Sequence, residues 1–280
     1  MEAIIEYFGN ITSPHRSAII IGGLTVFFLI ENALPLFTKT YNRWKHSGLN
    51  IFFTITTILV NFLMAFILVG TSDWAVANEI GLLQMTSDNV YYHLLVGLLA
   101  LDLLGAWLPH WVAHHVKWIW QFHLIHHTDQ HVDTTTANRH HPGESVVRFT
   151  FTTIAVLIVG APMWLVFLYQ SLSVVLTQYN HSNVKMPDWL DSPLSFMICT
   201  PNMHRVHHHY RRPYSDTNYG NIFSFWDRLF GTYIKVENTK LVYGVDTYMD
   251  PQETQNVGKL LKIPFAGYRA HIKYDSKEKL

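Results

Sequence analysis

The sequence predicts an all-α integral membrane protein with about four transmembrane helices and a cytosolic helical cap that holds a di-metal histidine cluster. Three observations carry this prediction. Hydrophobic residues make up 49% of the 280-residue chain and charged residues only 14%, a balance that leans towards the membrane. Two runs, 17–37 and 50–70, have the roughly 20 apolar residues that a bilayer's hydrocarbon core requires of a helix. The pattern H-x-x-H-H occurs twice, as HLIHH at 123–127 and HRVHH at 204–208, and that spacing puts histidines on one side of a helix.

The elements follow in order. The stretch MEAIIEYFGNITSPH carries two glutamates and no Lys or Arg, which is wrong for the basic start of a signal peptide, so the amino end is expected to stay on the mature protein. Residues 17–37 and 50–70 are expected spans, with Glu31, near the cytosolic end of the first, either a functional ionisable group at membrane depth or an interfacial residue. A third apolar run, 94–108, contains Asp102 and continues into a histidine-rich stretch from His110; it is expected to cross and emerge as a helix. The fourth region, 149–178, is interrupted by Gly160-Ala161-Pro162. Proline removes a backbone donor and kinks or ends a helix, so this region reads as a kinked or re-entrant pair.

Loop 38–48 holds Lys39, Arg43 and Lys45, whereas 71–89 holds Asp73, Glu79 and Asp88 and no base. Positive-inside logic puts the first loop in the cytosol. His110 onward then lies on the cytosolic side, and the hairpin returns the chain to that face, so both histidine motifs meet in one compartment. The residues after 200, rich in Tyr, Pro and Gly, complete the cap, and the 9 Trp and 14 Tyr read mostly as an interfacial belt.

Composition also excludes partners. Lys+Arg and Asp+Glu are balanced at 20 each and no basic run carries interleaved aromatics, so nucleic acid is not an expected partner. Cys199 is the single cysteine, which rules out an internal disulfide, a cysteine zinc site and a protein-held iron–sulfur cluster. Any metal here has to be held by His or carboxylate.

Of 18 histidines, 14 fall between His110 and His209. His110 and His114, at i and i+4, share a helical face, as do His123, His126 and His127, and again His204, His207 and His208, each trio able to point to one spot. Neutral imidazole suits iron, zinc, copper and nickel. Eight such ligands exceed what one ion takes, so two metals are implied, with His181 in YNHSN as the natural ninth ligand. His115, His140 and His209 flank the motif positions, and His131 and His141 are ambiguous.

These histidines, with Asp102, TTTANRHHPGE (134–144), YNHSN (179–183), TPNMHRVHHH (200–209) and NYGNIFSFWDRLFGTY (218–233), resemble the fatty acid hydroxylase superfamily of membrane di-iron enzymes, often called the sterol desaturase family. The resemblance covers about 95–235. The H-x3-H spacing is most similar to the bacterial-type sterol desaturase and sphingolipid hydroxylase members. In some members another histidine stands four positions before the equivalent of His181, where this chain has Thr177, so a tenth ligand falls to His141, His131, Asn180 or a water. HHPGE also resembles a cytochrome b-type haem motif, but no soluble module surrounds it and haem is not expected. Asp102 is a candidate to orient a ligand imidazole, equally one to cap a cavity or pair with an arginine.

The resemblance implies a transmembrane region (1–93), a catalytic domain (94–235) and a polar cytosolic tail (236–280). It further implies two iron ions, which zinc can replace in purified protein, and a membrane oxygenase of the bacterial inner membrane or endoplasmic reticulum that uses O2 to hydroxylate or desaturate a sterol, fatty acyl or sphingolipid C–H bond. No dinucleotide or phosphate loop is present, so electrons are expected from a ferredoxin or haem-carrying donor with its reductase. Alternatives are an ether-lipid or carotenoid monooxygenase of the same family, a lipid-binding member without activity and, from another class, a histidine-lined metal transporter, although these histidines cluster rather than spread along the spans.

Overall fold

Side-chain caps start the spans. In the computed structural model, which describes residues 1–38, 40–85 and 89–272, a short helix α1 (Glu2–Gly9) precedes α2 (Ser13–Ala33), whose Thr12 cap accepts from His15 N. Helix α3 (Arg43–Ala77) begins behind Asn42, whose side chain accepts from Lys45 N. Its 35 residues make it about 52 Å long, well beyond the roughly 30 Å of hydrocarbon. Hydropathy marks where lipid lies and not where a helix stops: the polar ends of α3 pack on protein, with His46 Nε2 2.9 Å from Asp129 and Ser72 Oγ donating to Ala161 O. The expected loops 38–48 and 71–89 are correspondingly shorter. Lys39 and Asp88, two of the charges on which the expected orientation rests, lie outside the described residues.

The third span is one continuous rod. Helix α4 (Val90–Asp102) passes through a turn of π-helix, Leu103–Trp107, into α5 (Leu108–His115). After an extended residue, Val116, comes α6 (Lys117–His127). Helices α7 (Pro142–Val159) and α8 (Met163–His181) form the expected hairpin. Gly160 joins them with φ 66°, and a Cβ there would sit 2.3 Å from Ile80 O, so only glycine makes this turn without strain. Four stretches are long and apolar enough to cross a bilayer: Ser13–Ala33, Arg43–Met85, Val90–His115 and Pro142–Val159. Phe62, Leu63 and Phe66 on α3 are 69, 74 and 82% exposed, the pattern of a lipid-facing surface.

Helices α9 (Asp188–Met197), α10 (Pro201–His207), α11 (Phe225–Leu229), α12 (Pro251–Thr254) and α13 (Val257–Lys262) build the cap. Among the described residues there are no strands beyond isolated bridges such as His209 to Tyr243. Part of the segment read as a polar tail is core: Val245, Tyr248, Leu260 and Ile263 pack on Phe53, Trp120, Leu124 and Ile125. Residues 273–280 of that segment lie outside the described residues.

Two acidic groups fasten cap to spans. Glu31, interfacial on one of its two readings, is fully buried; it accepts from Thr134 N and Asn183 N, both at 3.0 Å, and pairs with Arg43 at 2.5 Å. Asp102 is also fully buried and accepts from Ile222 N, Phe223 N and Trp226 Nε1 at 3.1–3.2 Å. It therefore holds a cap segment and is not bonded to an imidazole. Asp102→Ala strands three buried donors at about 1–3 kcal/mol each, so its unfolding midpoint in detergent should fall by an amount equivalent to about 3 kcal/mol or more; a midpoint within error of the parent protein would contradict the anchoring role.

Candidate metal centre

Four helices deliver nine histidines to one point at the cap end of the spans. α5 gives His110 and His114, α6 gives His123, His126 and His127, the last residue of α8 is His181, and α10 with the residue after it gives His204, His207 and His208. Thr200 caps α10 and Pro201 occupies its first position. Arg139 secures the end of α6, donating to Ile125 O, Thr128 Oγ1, Asn50 Oδ1 and Thr254 O.

The rings sort into two groups. His110, His114, His123, His127 and His207 form one, and His126, His181, His204 and His208 the other; within each, one nitrogen per ring lies within 4.8 Å of the rest. Contrary to the expectation that each trio converges on one spot, each H-x-x-H-H motif is split. Its i and i+4 histidines enter one group and its i+3 histidine the other, in opposite senses for the two motifs. The groups adjoin: His127 stacks on His208 with centroids 4.8 Å apart, and His123 on His126 at 5.3 Å.

Oxygen acceptors outside the cluster set which nitrogen carries the proton. His110 Nδ1 donates to Tyr219 O (2.9 Å), His207 Nδ1 to Thr217 O (2.7 Å) and His181 Nδ1 to Thr177 O (2.7 Å). His114 Nδ1 donates to Asp216 (3.1 Å) and His123 Nδ1 to Glu144 (2.7 Å). A neutral imidazole that donates from Nδ1 presents a lone pair at Nε2. These lone pairs face other imidazoles: His123 Nε2 is 3.2 Å from His127 Nε2, and His181 Nε2 is 3.1 Å from Nε2 of both His126 and His204. Nε2 of His110, His114 and His207, Nδ1 of His126, His127 and His204, and both nitrogens of His208 are buried with no hydrogen-bond partner.

Each such group costs about 1–3 kcal/mol if left unsatisfied. Cations between the rings would take up the inward-facing nitrogens among them, one per ring, so the donor set fits metal. Its all-nitrogen chemistry suits iron, zinc, copper or nickel and disfavours magnesium or calcium.

The other candidates lie elsewhere. His131 stacks on Tyr41 at 4.1 Å, and His141 caps α7 by accepting from Gly143 N at 2.9 Å. Asn180 Nδ2 donates to Asn221 O, and Thr177 Oγ1 donates to Asn221 Oδ1. His115 donates to Trp111 O on the surface. Among the described residues no tenth His, Cys, Asp or Glu joins either group. His140 is nearer than its flanking position suggested: it stacks on His126 at 4.8 Å, with Nδ1 3.0 Å from Glu144. Sequence reasoning missed the orienting acceptors Glu144 and Asp216. Glu144 carried a signal, three residues after the HH of HHPGE; carbonyl acceptors carry none.

A cavity of about 440 Å³ runs between α2, α3, α7 and α8, from Ala137, Asn138 and His140 at the histidine end to Val69 and Met163 at the other. Its size and mixed lining suit an amphiphile.

The profile of the fatty acid hydroxylase family matches residues 94–232. The chain is 27% identical over 142 residues to an ornithine lipid hydroxylase of Rhizobium tropici (51% of this chain, 42% of that one) and 32% identical over 148 residues to human alkylglycerol monooxygenase (50% and 30%). A putative methylsterol monooxygenase of Dictyostelium discoideum is 23% identical over 219 residues (75% and 79%). The matched segments thus span less than half the length of the first two relatives. No solved structure matches the chain.

Burial, with repulsion among the rings adding to it, holds His126, His127, His204, His207 and His208 well below the usual imidazole range. The unfolded chain, whose histidines titrate near about 6.5, therefore binds protons that the metal-free fold does not. Stability from this source is complete above about pH 6.5 and is lost progressively as pH falls below it. Unfolding midpoints of chelator-treated protein should decline steadily from about pH 6.5 to about pH 5; a flat or rising profile would count against neutral, tightly packed imidazoles.

Proposed function

We propose, since residues 94–232 belong to the fatty acid hydroxylase family, that the protein is a membrane oxygenase that oxidises a lipid C–H bond with O2 and external electrons. The observation that carries this reading is the pair of buried histidine groups, five of whose nine rings donate outward from Nδ1 and so turn a lone pair inward, at the end of a membrane-depth cavity. An unactivated C–H bond has no acidic proton and no electrophilic carbon for side chains to act on, and two iron ions held by the nine histidines would supply the O2 activation it needs. His110, His114, His123, His127 and His207 would hold one ion and His126, His181, His204 and His208 the other.

The chain's own part is geometric. Glu144, Asp216 and the carbonyls of Thr177, Thr217 and Tyr219 keep the ligand nitrogens deprotonated and aimed inward. The cavity presents an alkyl chain beside His140. Electrons come from a separate ferredoxin or haem-type donor at the cap. We place the cap in the cytosol: Arg43 and Lys45 lie at that end of α3, and Asp73 and Glu79 near the other. Ether lipids are a second substrate reading, favoured by the similarity to alkylglycerol monooxygenase.

Protein reconstituted anaerobically with ferrous iron should bind about two irons per chain, as two closed histidine groups require, and iron spectra should change on adding O2. Alanine at His123, His126, His204 or His207 should lower iron content and abolish lipid oxidation, whereas His115→Ala should do neither; a single tightly held ion with no O2 response would sink the proposal. Glu144→Gln keeps the shape but weakens the acceptor, and should lower iron affinity about 10–100-fold. Unchanged affinity in a competition titration would remove Glu144 from its orienting role.

A further inference from the structure

The cavity has an arginine near each end, and the two are not equivalent. Arg16, in the first turns of α2, donates to Ser13 Oγ at 3.1 Å and lies over the Phe167 ring at 4.9 Å. That is an ordinary snorkelling arginine at a bilayer boundary. Arg148 sits inside α7, a helix apolar enough to cross, where an ionisable group is functional by default. Its carboxylate neighbour among the described residues is Glu144 Oε1 at 3.9 Å, beyond hydrogen-bond reach. That oxygen already accepts from His123 at 2.7 Å and lies 3.0 Å from His140. The Arg148 side chain is 35% accessible and lines the cavity.

The lining around it is mixed. Towards the histidines α3 contributes Thr54, Thr57 and Asn61, and α7 contributes Thr152; further along, Phe62, Ala65, Leu68, Val69 and Met163 provide an apolar wall, with Ser13 and Arg16 of α2 at that end. Residues 54 to 69 of α3 extend about 22 Å, the scale of a lipid chain. We propose that Arg148 binds the anionic headgroup, a phosphate or carboxylate, of a single-chain amphiphile whose tail runs towards Met163. A guanidinium that among the described residues pairs only loosely, at 3.9 Å, with a carboxylate already engaged by His123 offers such an oxyanion a two-pronged, charge-assisted contact. Arg148 lies one helical turn from Glu144, which bonds His123. On the oxygenase reading above, on which this consequence rests, the oxidised carbon is therefore close to the headgroup and not at the far end of the chain.

The test is binding, measured on the full chain in zwitterionic nanodiscs, metal-free and iron-loaded, with hexadecyl phosphate, hexadecanol and inorganic phosphate as probes. The parent protein should bind hexadecyl phosphate at least about tenfold more tightly than hexadecanol, a difference a charge-assisted contact readily supplies. Arg148→Gln should erase the preference without lowering iron content, Arg148→Lys should keep part of it, and Arg16→Gln should leave it intact. Equal binding of the phosphate and the alcohol by the parent protein would overturn the proposal with no variant needed. Inorganic phosphate binding as tightly as hexadecyl phosphate would overturn the headgroup assignment in favour of a free anion. Loss of iron together with equal loss of both amphiphiles in Arg148→Gln would mean that the arginine only balances Glu144, and would also overturn it. Failure of O2-dependent oxidation would leave these comparisons unaffected, so the two readings fail separately.

Discussion

The fold depends on keeping nine imidazoles neutral and crowded in a space whose burial is hostile to their charged forms. Rings whose lone pairs face one another at 3.1–3.2 Å repel unless a cation lies between or a proton is shared. Every outer contact narrows that choice. Glu144, Asp216 and three carbonyls fix protons on the outer nitrogens, and those carbonyls are themselves held. Asp227 accepts from Tyr219 N and Gly220 N at 2.8 Å and from Trp107 Nε1 at 3.1 Å, which fixes the turn whose carbonyl orients His110. Asp102 grips the next few residues of the same segment. The carboxylates of this domain thus act mostly on backbone and on ligand orientation.

The histidines were legible because helical spacing and their density leave little else for them to do. Their division was not read, although the geometry contains it. At roughly 100° per residue, positions i and i+4 lie about 40° apart while i+3 and i+4 diverge by about 100°. A motif of this spacing serves one group with its outer pair and another with its i+3 member, and two facing motifs interlock in that way. The roles of Glu31 and Asp102 were hidden for a different reason: their partners are backbone N–H groups a hundred or more residues away, and backbone donors leave no mark in a sequence. Helix ends were blurred at α3 because its polar first turns pack on the cap through His46 and Asn50, while Ser72 near its other end bonds the α7–α8 turn.

Membrane and cap are one packed unit. The 3-10 turn Thr134–Asn138 illustrates this: Asp133 caps it, Tyr41 Oη donates to Asp133 at 3.0 Å, Thr134 bonds Glu31 on α2, and Asn138 reaches the cavity wall. Despite its burial, His46 and Arg139 hold Asp129 well below the usual carboxylate range, so the residue two places after His127 is a fixed charge that ties α6 to α3. A lipid entering between α2 and α3 therefore meets walls whose far ends are bonded into the cap around the histidines.

The π-turn at Leu103–Trp107 constrains the length of the third span. A bilayer tolerates a helix one residue longer or shorter at small cost, so most spans drift in length without harm. Here the extra residue in the wide turn brings His110 round to the face of Asp102, and both side chains seize the same segment, Tyr219 to Trp226. Wound as a regular α-helix, without the wide turn, the same residues would swing everything beyond it by roughly 100° and carry His110 and His114 out of their group while leaving the span's hydropathy untouched. For this helix, register outranks hydrophobicity, and the wide turn answers to angle rather than to the membrane.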